Sequence, residues 1–428
     1  MATDAAVTSG EIHNPRNRIP EPVLGAVGFL SLFDRFGTAP MLLVLADRTP
    51  LSLGQAVQLI AVYALFCSVG QPVWELLSDR FGRLTVLRMA LVGGVVGGVA
   101  SALFSAWLPL LLARAFTGLM IGALYPTLLT LLGDSHTGVE RARSLSALQI
   151  YASLGTTVAT LTAGTIAALL DWRLVFGLTA LGCLALLWAL RGAATDPAEQ
   201  PSTVFRHAIS PSALGVYGLA VLMGAVLMGV LAYVVPALQH AGVGVGIAGM
   251  LAATYGVGVI SGAHLMRRLV RRFSRTGLMA TGGTVLVCAY AVSSTVLAPV
   301  TLTVTALLIG VSSAVLNVSV QGWATEVAPR ARATSVSLFA CSLFLGSSLS
   351  TFLTADLAQQ GRYGLIFTLA LLTSIALTVA AALGHARWTR RPGHGRRRPT
   401  SRDHSLHFRR PAHDPPRTQP VAPRTTSR

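Results

Sequence analysis

The chain contains no lysine, and only 16 of its 428 residues are acidic. Charged residues amount to 11%, where a soluble globular domain carries about a quarter, so a water-solvated globule is excluded. At 53% apolar residues and a mean hydropathy of +0.63, the chain is equally far from a disordered polymer. Its four cysteines (Cys67, Cys183, Cys288 and Cys341) are widely spaced inside apolar runs. They form no C-x-x-C pair and read as small buried hydrophobes. No H-E-x-x-H, no G-x-S-x-G and no intramembrane cluster of His, Asp or Glu occurs, which leaves a membrane-embedded enzyme without a nucleophile or a metal. There is no G-x-x-x-x-G-K-S/T either, so nothing would drive a primary pump. No metal and no cofactor are expected. A cleavable signal peptide is not expected either, because the first 20 residues are polar and the first apolar run is long enough to span a bilayer.

What the sequence has in quantity is long apolar runs. They begin near Val23, Gly54, Leu84, Leu108, Arg143, Leu174, Ala213, Gly246, Gly277, Val300, Ala333 and Tyr363. Most are about 20 residues or longer, enough at 1.5 Å per residue to cross ~30 Å of hydrocarbon. Lipid offers no partner to backbone N–H and C=O groups, so each run must be a helix. The expected fold is an all-α membrane protein of twelve transmembrane helices in two pseudo-symmetric six-helix bundles. Its expected divisions are an N-terminal tail over 1–22, a first bundle over 23–191, a central loop over 192–212, a second bundle over 213–386, and a disordered basic tail over 387–428.

Arginine placement predicts the orientation. With both termini in the cytoplasm, the inner loops hold clusters such as Arg80, Arg83, Arg88 and Arg267, Arg268, Arg271, Arg272, Arg275, while the outer loops hold only Arg48, Arg173 and Arg362. The net charge of +17 comes largely from the tail, where residues 387–428 carry 12 Arg against Asp403 and Asp414. That local origin removes the case for nucleic acid. The tail is either inert or a contact for anionic lipid, at about 1 kcal/mol per Arg near the surface.

The halves echo one another. Arg141-Ala-Arg143 recurs as Arg330-Ala-Arg332, and the Trp172–Phe176 turn is matched by Arg362–Phe367, at nearly the same offset. Parallel repeats of this kind are a transporter architecture with the site between the halves.

The loop joining the second and third helices reads Leu77-Ser-Asp79-Arg80-Phe-Gly82-Arg83. It resembles the signature loop of the major facilitator superfamily, in which such a cluster latches the halves on the cytoplasmic side. Asp79, Arg80, Gly82 and Arg83 match. Glu75 stands where that family has its first Gly, and Leu84 replaces a base. In the fourth helix Arg114-x-x-x-Gly118 is similar to a family pattern whose Arg takes part in proton coupling. In the fifth, Gly155-x-x-x-Ala159-Thr160-x-x-Ala163-Gly164 looks like a degenerate antiporter motif, with Thr160 in place of Pro. The resemblance covers roughly residues 21–386 and implies a proton-coupled secondary transporter, most like the twelve-helix drug–proton antiporters.

Intramembrane charge is scarce and therefore informative. Asp34 is the one acid in the middle of a span, ~16 Å from the inner edge. Arg114 falls at a similar depth, and in the family's fold the first and fourth helices pack together, so the two are expected to pair. Arg35 either shares that acid or faces an aqueous vestibule. The pair reads either as a proton switch, with Asp34 protonated when the helices part, or as a static ion pair that fixes helix register. Glu75, four residues before Asp79, is expected to recruit a basic partner, either Arg80, Arg83 or a basic residue of the other half, and so to supplement the latch. Tyr233, Tyr255, Asn317 and Gln321 are candidate cavity residues in the second half, with Asn317 and Gln321 on one helix face. So few polar groups suit an amphiphilic organic molecule. The expected function is proton-coupled efflux of such a compound by a monomer in the plasma membrane. An uptake symporter for a small metabolite, and a membrane scaffold or sensor without flux, are the alternatives.

Overall fold

The structure, a computed structural model, describes residues 19–135, 138–193, 205–329 and 331–390. The expectations for the tails, for most of the central loop and for Arg330 lie wholly or mainly outside these residues. Among the described residues, twelve helices are long and apolar enough to span a membrane: α1 (Glu21–Arg48), α2 (Leu53–Phe81), α3 (Arg83–Leu103), α4 (Trp107–Gly133), α5 (Arg143–Leu169), α6 (Trp172–Ala189), α7 (Pro211–His240), α8 (Val245–Leu269), α9 (Arg275–Thr295), α10 (Pro299–Val327), α11 (Thr334–Leu353) and α12 (Tyr363–Thr389). Among the described residues there is no strand.

Local sequence fixes several helix starts. Ser52, Asp171, Ser210 and Ser274 each accept a bond from a backbone N–H of the first turn, a cap worth about 1 kcal/mol. Gly82 closes α2 and opens α3 at φ 83°, a left-handed conformation that costs an L side chain. Along α2 and α3, the exposed apolar residues Val69, Val73, Leu76 and Val92, Val96, Val99 recur at helical spacing and form outward stripes suited to lipid.

The duplication is visible in the packing. Gly155 of α5 lies against the Phe29 carbonyl of α1, and Gly346 of α11 lies against the Val221 carbonyl of α7; a Cβ at either glycine would overlap that carbonyl. Gly118 of α4 against the Tyr63 carbonyl of α2 is repeated by Gly310 of α10 against the Tyr255 carbonyl of α8. Helix irregularities repeat as well. The 3-10 turn Ala39–Met41 inside α1 corresponds to the 3-10 turn Val230–Tyr233 inside α7. The break after Ile121 in α4 corresponds to the π-turn Ser313–Asn317 in α10. Two six-helix bundles with one internal plan follow from these matches.

The bundles meet along α2 and α11. Tyr63, Cys67 and Phe344 form a buried cluster there with Met228 packed on it, and one turn further on the Ser68 hydroxyl donates to the Cys341 carbonyl at 2.8 Å. At the ends carrying Arg48 and Arg362, further contacts join the halves. Gln239 Nε2 donates to the Pro40 carbonyl at 3.4 Å, Ser52 donates to Gln359 Oε1 at 3.4 Å, and Gly249 of α8 sits on the Thr160 carbonyl of α5.

Candidate functional site

Asp34 lies 13 residues into α1 and Arg114 seven residues into α4, which runs the other way. At 1.5 Å per residue these are depths of about 20 Å and 10 Å from opposite ends, so the side chains reach one level near the middle of the bundle. They form a forked pair: Arg114 Nη1 donates to Asp34 Oδ1 at 3.1 Å and Nη2 to Oδ2 at 3.4 Å. Nη2 also reaches Thr38 Oγ1 at 3.4 Å. Both side chains are 1% exposed. The guanidinium is sandwiched between the rings of Tyr63 and Phe176, with centroids at 4.6 and 4.8 Å, an arrangement that a planar cation favours. An ion this deep is tolerated because its partner and the rings replace lost water.

A cavity, open on one side, adjoins the pair. Aromatic rings of Phe36, Tyr63, Tyr255 and Phe344 line it, and Thr156, Thr160 and Ser347 add hydroxyls. Arg35 is the single charged residue among those lining it. The Arg35 guanidinium stacks over Phe344 at 4.4 Å, and its buried Nε has no hydrogen-bond partner. No ion pair joins Arg35 to Asp34 among the described residues, so the expectation of a shared acid gives way to the alternative in which Arg35 faces open space. Adjacent positions on a helix point about 100° apart, so Asp34 and Arg35 cannot both turn toward α4.

Of the expected cavity residues in the second half, Tyr255 lines the space and its ring stacks on Phe36 at 6.4 Å. Tyr233 does not. It is fully buried, its hydroxyl donates to the Thr351 carbonyl at 2.9 Å and accepts from Thr354 Oγ1 at 2.8 Å, so it pins α7 to α11. Asn317 and Gln321 are not among the lining residues. Asn317 closes the π-turn of α10, and its buried Oδ1 has no partner. Tyr63, Phe36 and Phe344 were missed. Tyr63 could have been found by stepping back from Tyr255 through the repeat, since each stands on the carbonyl met by the corresponding glycine.

Around the loop after α2, Arg80 stacks over Phe81, Gly82 makes the turn, and Asp79 and Arg83 are both engaged. Glu75 faces α11, where its neighbours are the Ser337 and Thr334 hydroxyls, and among the described residues no ion pair joins it to a cation. Its Oε2 and the Ser337 Oγ lack well-aligned partners. The corresponding second-half loop, Arg271-Arg272-Phe273-Ser274-Arg275, opens α9, and Arg275 pairs with Glu326 at the end of α10.

The profile of the Major Facilitator Superfamily matches residues 24–228 and 217–423, which is most of the chain. The chain belongs to this superfamily. It is a multi-pass membrane transporter, not an enzyme. Among curated relatives, the quinolone resistance protein NorB of Staphylococcus aureus is 25% identical over 152 residues, 36% of this chain and 33% of NorB; the chain therefore aligns with about a third of that relative's length. Among solved structures, a bacterial homologue of the human lysosomal transporter Spinster, inward-facing and occupied, is similar at a TM-score of 0.68 and 19% identity, over 86% of this chain and 96% of that one. The nucleoside transporter NupG gives 0.72 at 13%, over 85% and 99%. A D-xylose–proton symporter gives 0.62 at 19%, over 83% and 96%. At these identities the likeness speaks for the fold alone.

Proposed function

We propose that this superfamily member exports a small amphiphilic organic compound in exchange for protons, by alternating access, with Asp34 as the proton carrier and Arg114 as its counter-charge. The observation that carries the reading is the forked Asp34–Arg114 pair, 1% exposed at mid-depth and separated from the cavity by the Tyr63 ring, which lines the one and stacks on the other. Protonating Asp34 would release Arg114 from its fork and loosen α1 against α4; deprotonation would restore it. A scaffold or sensor has no use for such a costly group in mid-membrane. The contacts at the Arg48 and Arg362 ends, Gln239 to Pro40 and Ser52 to Gln359, would be the closed gate of this state. The Glu75, Asp79, Arg80, Gly82 and Arg83 cluster would be the gate at the other face.

The arginine asymmetry supports both termini in the cytoplasm and insertion in the plasma membrane, with bundles over 23–191 and 213–386 acting as a monomer. The basic tail would rest against anionic lipid. Export is favoured over uptake by the partial likeness to NorB. Proton-driven uptake is the second reading, because the same fold also serves a D-xylose–proton symporter and does not itself set the direction. Proteoliposomes with an imposed pH gradient, assayed against a compound panel, test the proposal. Asp34→Asn, near-isosteric and unable to take up a proton, should insert normally and lose gradient-driven movement. Full gradient-driven transport by that variant would overturn the role given to Asp34, and accumulation in the other direction would leave the symporter.

A further inference from the structure

The charge in the cavity wall has a consequence for what the cavity accepts. We propose that it binds an organic anion with a flat aromatic body, the acid group held by Arg35. This deepens the transport reading above and rests on the cavity being its substrate site.

Every ionisable group near the cavity bears on the sign. Asp34 would attract a cation, yet it is 1% exposed, both its oxygens are bound by Arg114, and it is not in the wall. Arg35 is in the wall, and no acid neutralises it among the described residues. A lipophilic cation would enter against an uncompensated guanidinium in a low-dielectric space; an anion would supply the missing partner.

The donors point the same way. Thr156 donates its hydroxyl to the Ala152 carbonyl and Thr160 to the Thr156 carbonyl, so neither has a proton to spare. Among the described residues, Arg35 Nε and the buried Tyr63 hydroxyl have no partner, and Ser347 adds a further hydroxyl to the wall. A guanidinium and a phenol suit a carboxylate or sulfonate, which only accepts. The rest of the wall, with Phe36, Tyr255 and Phe344, offers ring faces to an aromatic body.

The test compares two xanthene dyes of opposite charge, anionic fluorescein and cationic rhodamine 123, by fluorescence anisotropy on the purified full chain in detergent, with protein-free micelles as blank and no pH gradient. Wild type should bind fluorescein more tightly than rhodamine 123 by about tenfold or more. Arg35→Gln should weaken fluorescein binding by about tenfold, and Arg35→Lys, which keeps the charge, by only about threefold. The charge preference of the wild type needs no variant, so a misfolded Arg35→Gln does not blunt the test. Tighter binding of rhodamine 123, no saturable fluorescein binding by wild type, or unchanged fluorescein binding by a monodisperse Arg35→Gln would each overturn the proposal. Fluorescein binding without gradient-driven movement of any compound would remove the transport reading and leave the anion site. Gradient-driven transport of other compounds without fluorescein binding would do the reverse.

Discussion

Tyr63 and Tyr255 occupy the same place in the two repeats and line one cavity from opposite halves. Each has its backbone carbonyl against a glycine of the partner helix, Gly118 and Gly310. Their surroundings differ: Tyr63 stacks on Arg114, and Tyr255 stacks on Phe36. Position 225, the second-half counterpart of Asp34, is alanine. One half thus carries the ion pair while both halves shape the space beside it.

Arg114→Gln should destabilise the protein more than Asp34→Asn/Arg114→Gln does. The single change leaves a buried carboxylate unpaired, a cost of about 3–5 kcal/mol, and the double change removes the charge. Thermal midpoints in detergent at neutral pH give the comparison; equal midpoints for the two would mean that Asp34 is uncharged or hydrated.

Tyr233→Phe should lower stability by about 1–3 kcal/mol through the bonds lost to Thr351 and Thr354, and should leave substrate affinity unchanged. A rise in KM at unaltered thermal midpoint would put Tyr233 back in the cavity.

Gly155→Val and Gly346→Val should each block assembly of their bundle, since the side chain would overlap the carbonyl of Phe29 or Val221. Gly177→Val, where a Cβ meets nothing within 4 Å, is the control and should elute as wild type does. Size-exclusion profiles and membrane yield read the difference.

Glu75→Gln should label at cysteines on the basic face at the wild-type rate, within about a factor of two, because an amide can satisfy the Ser337 and Thr334 hydroxyls as a carboxylate does. Markedly faster labelling would mean that the charge of Glu75 itself holds the contact.

Reporter fusions after Arg83 and after Arg275 should report cytoplasm, and one near Arg173 the outside. An outside signal at Arg83 would invert the proposed topology.

The spans were legible because each is an uninterrupted apolar run, and the Asp34–Arg114 pair because charge is too costly in mid-membrane to lie there unpartnered. The facing of other side chains was not legible. Tyr233 follows the π-turn Ala225–Gly229 and sits in the 3-10 turn after it. A π-turn inserts an extra residue and rotates everything beyond it by about 100°, so a regular helical wheel aims Tyr233 wrongly. Asn317 ends a π-turn in α10, so Asn317 and Gln321 keep one face of the regular helix that follows but are turned relative to the residues before the π-turn, away from the cavity lining. Glu75 lies beside hydroxyls of α11, and periodicity along α2 carries no information on whether α11 presents a cation or a hydroxyl there.

The Tyr63 ring lines the cavity and also stacks on the guanidinium of Arg114. Asp34 is not in the cavity wall, so a ligand there and a proton on Asp34 would not compete for a common seat. In kinetic terms, inhibition of one by the other should then be noncompetitive, and each could have its own entrance.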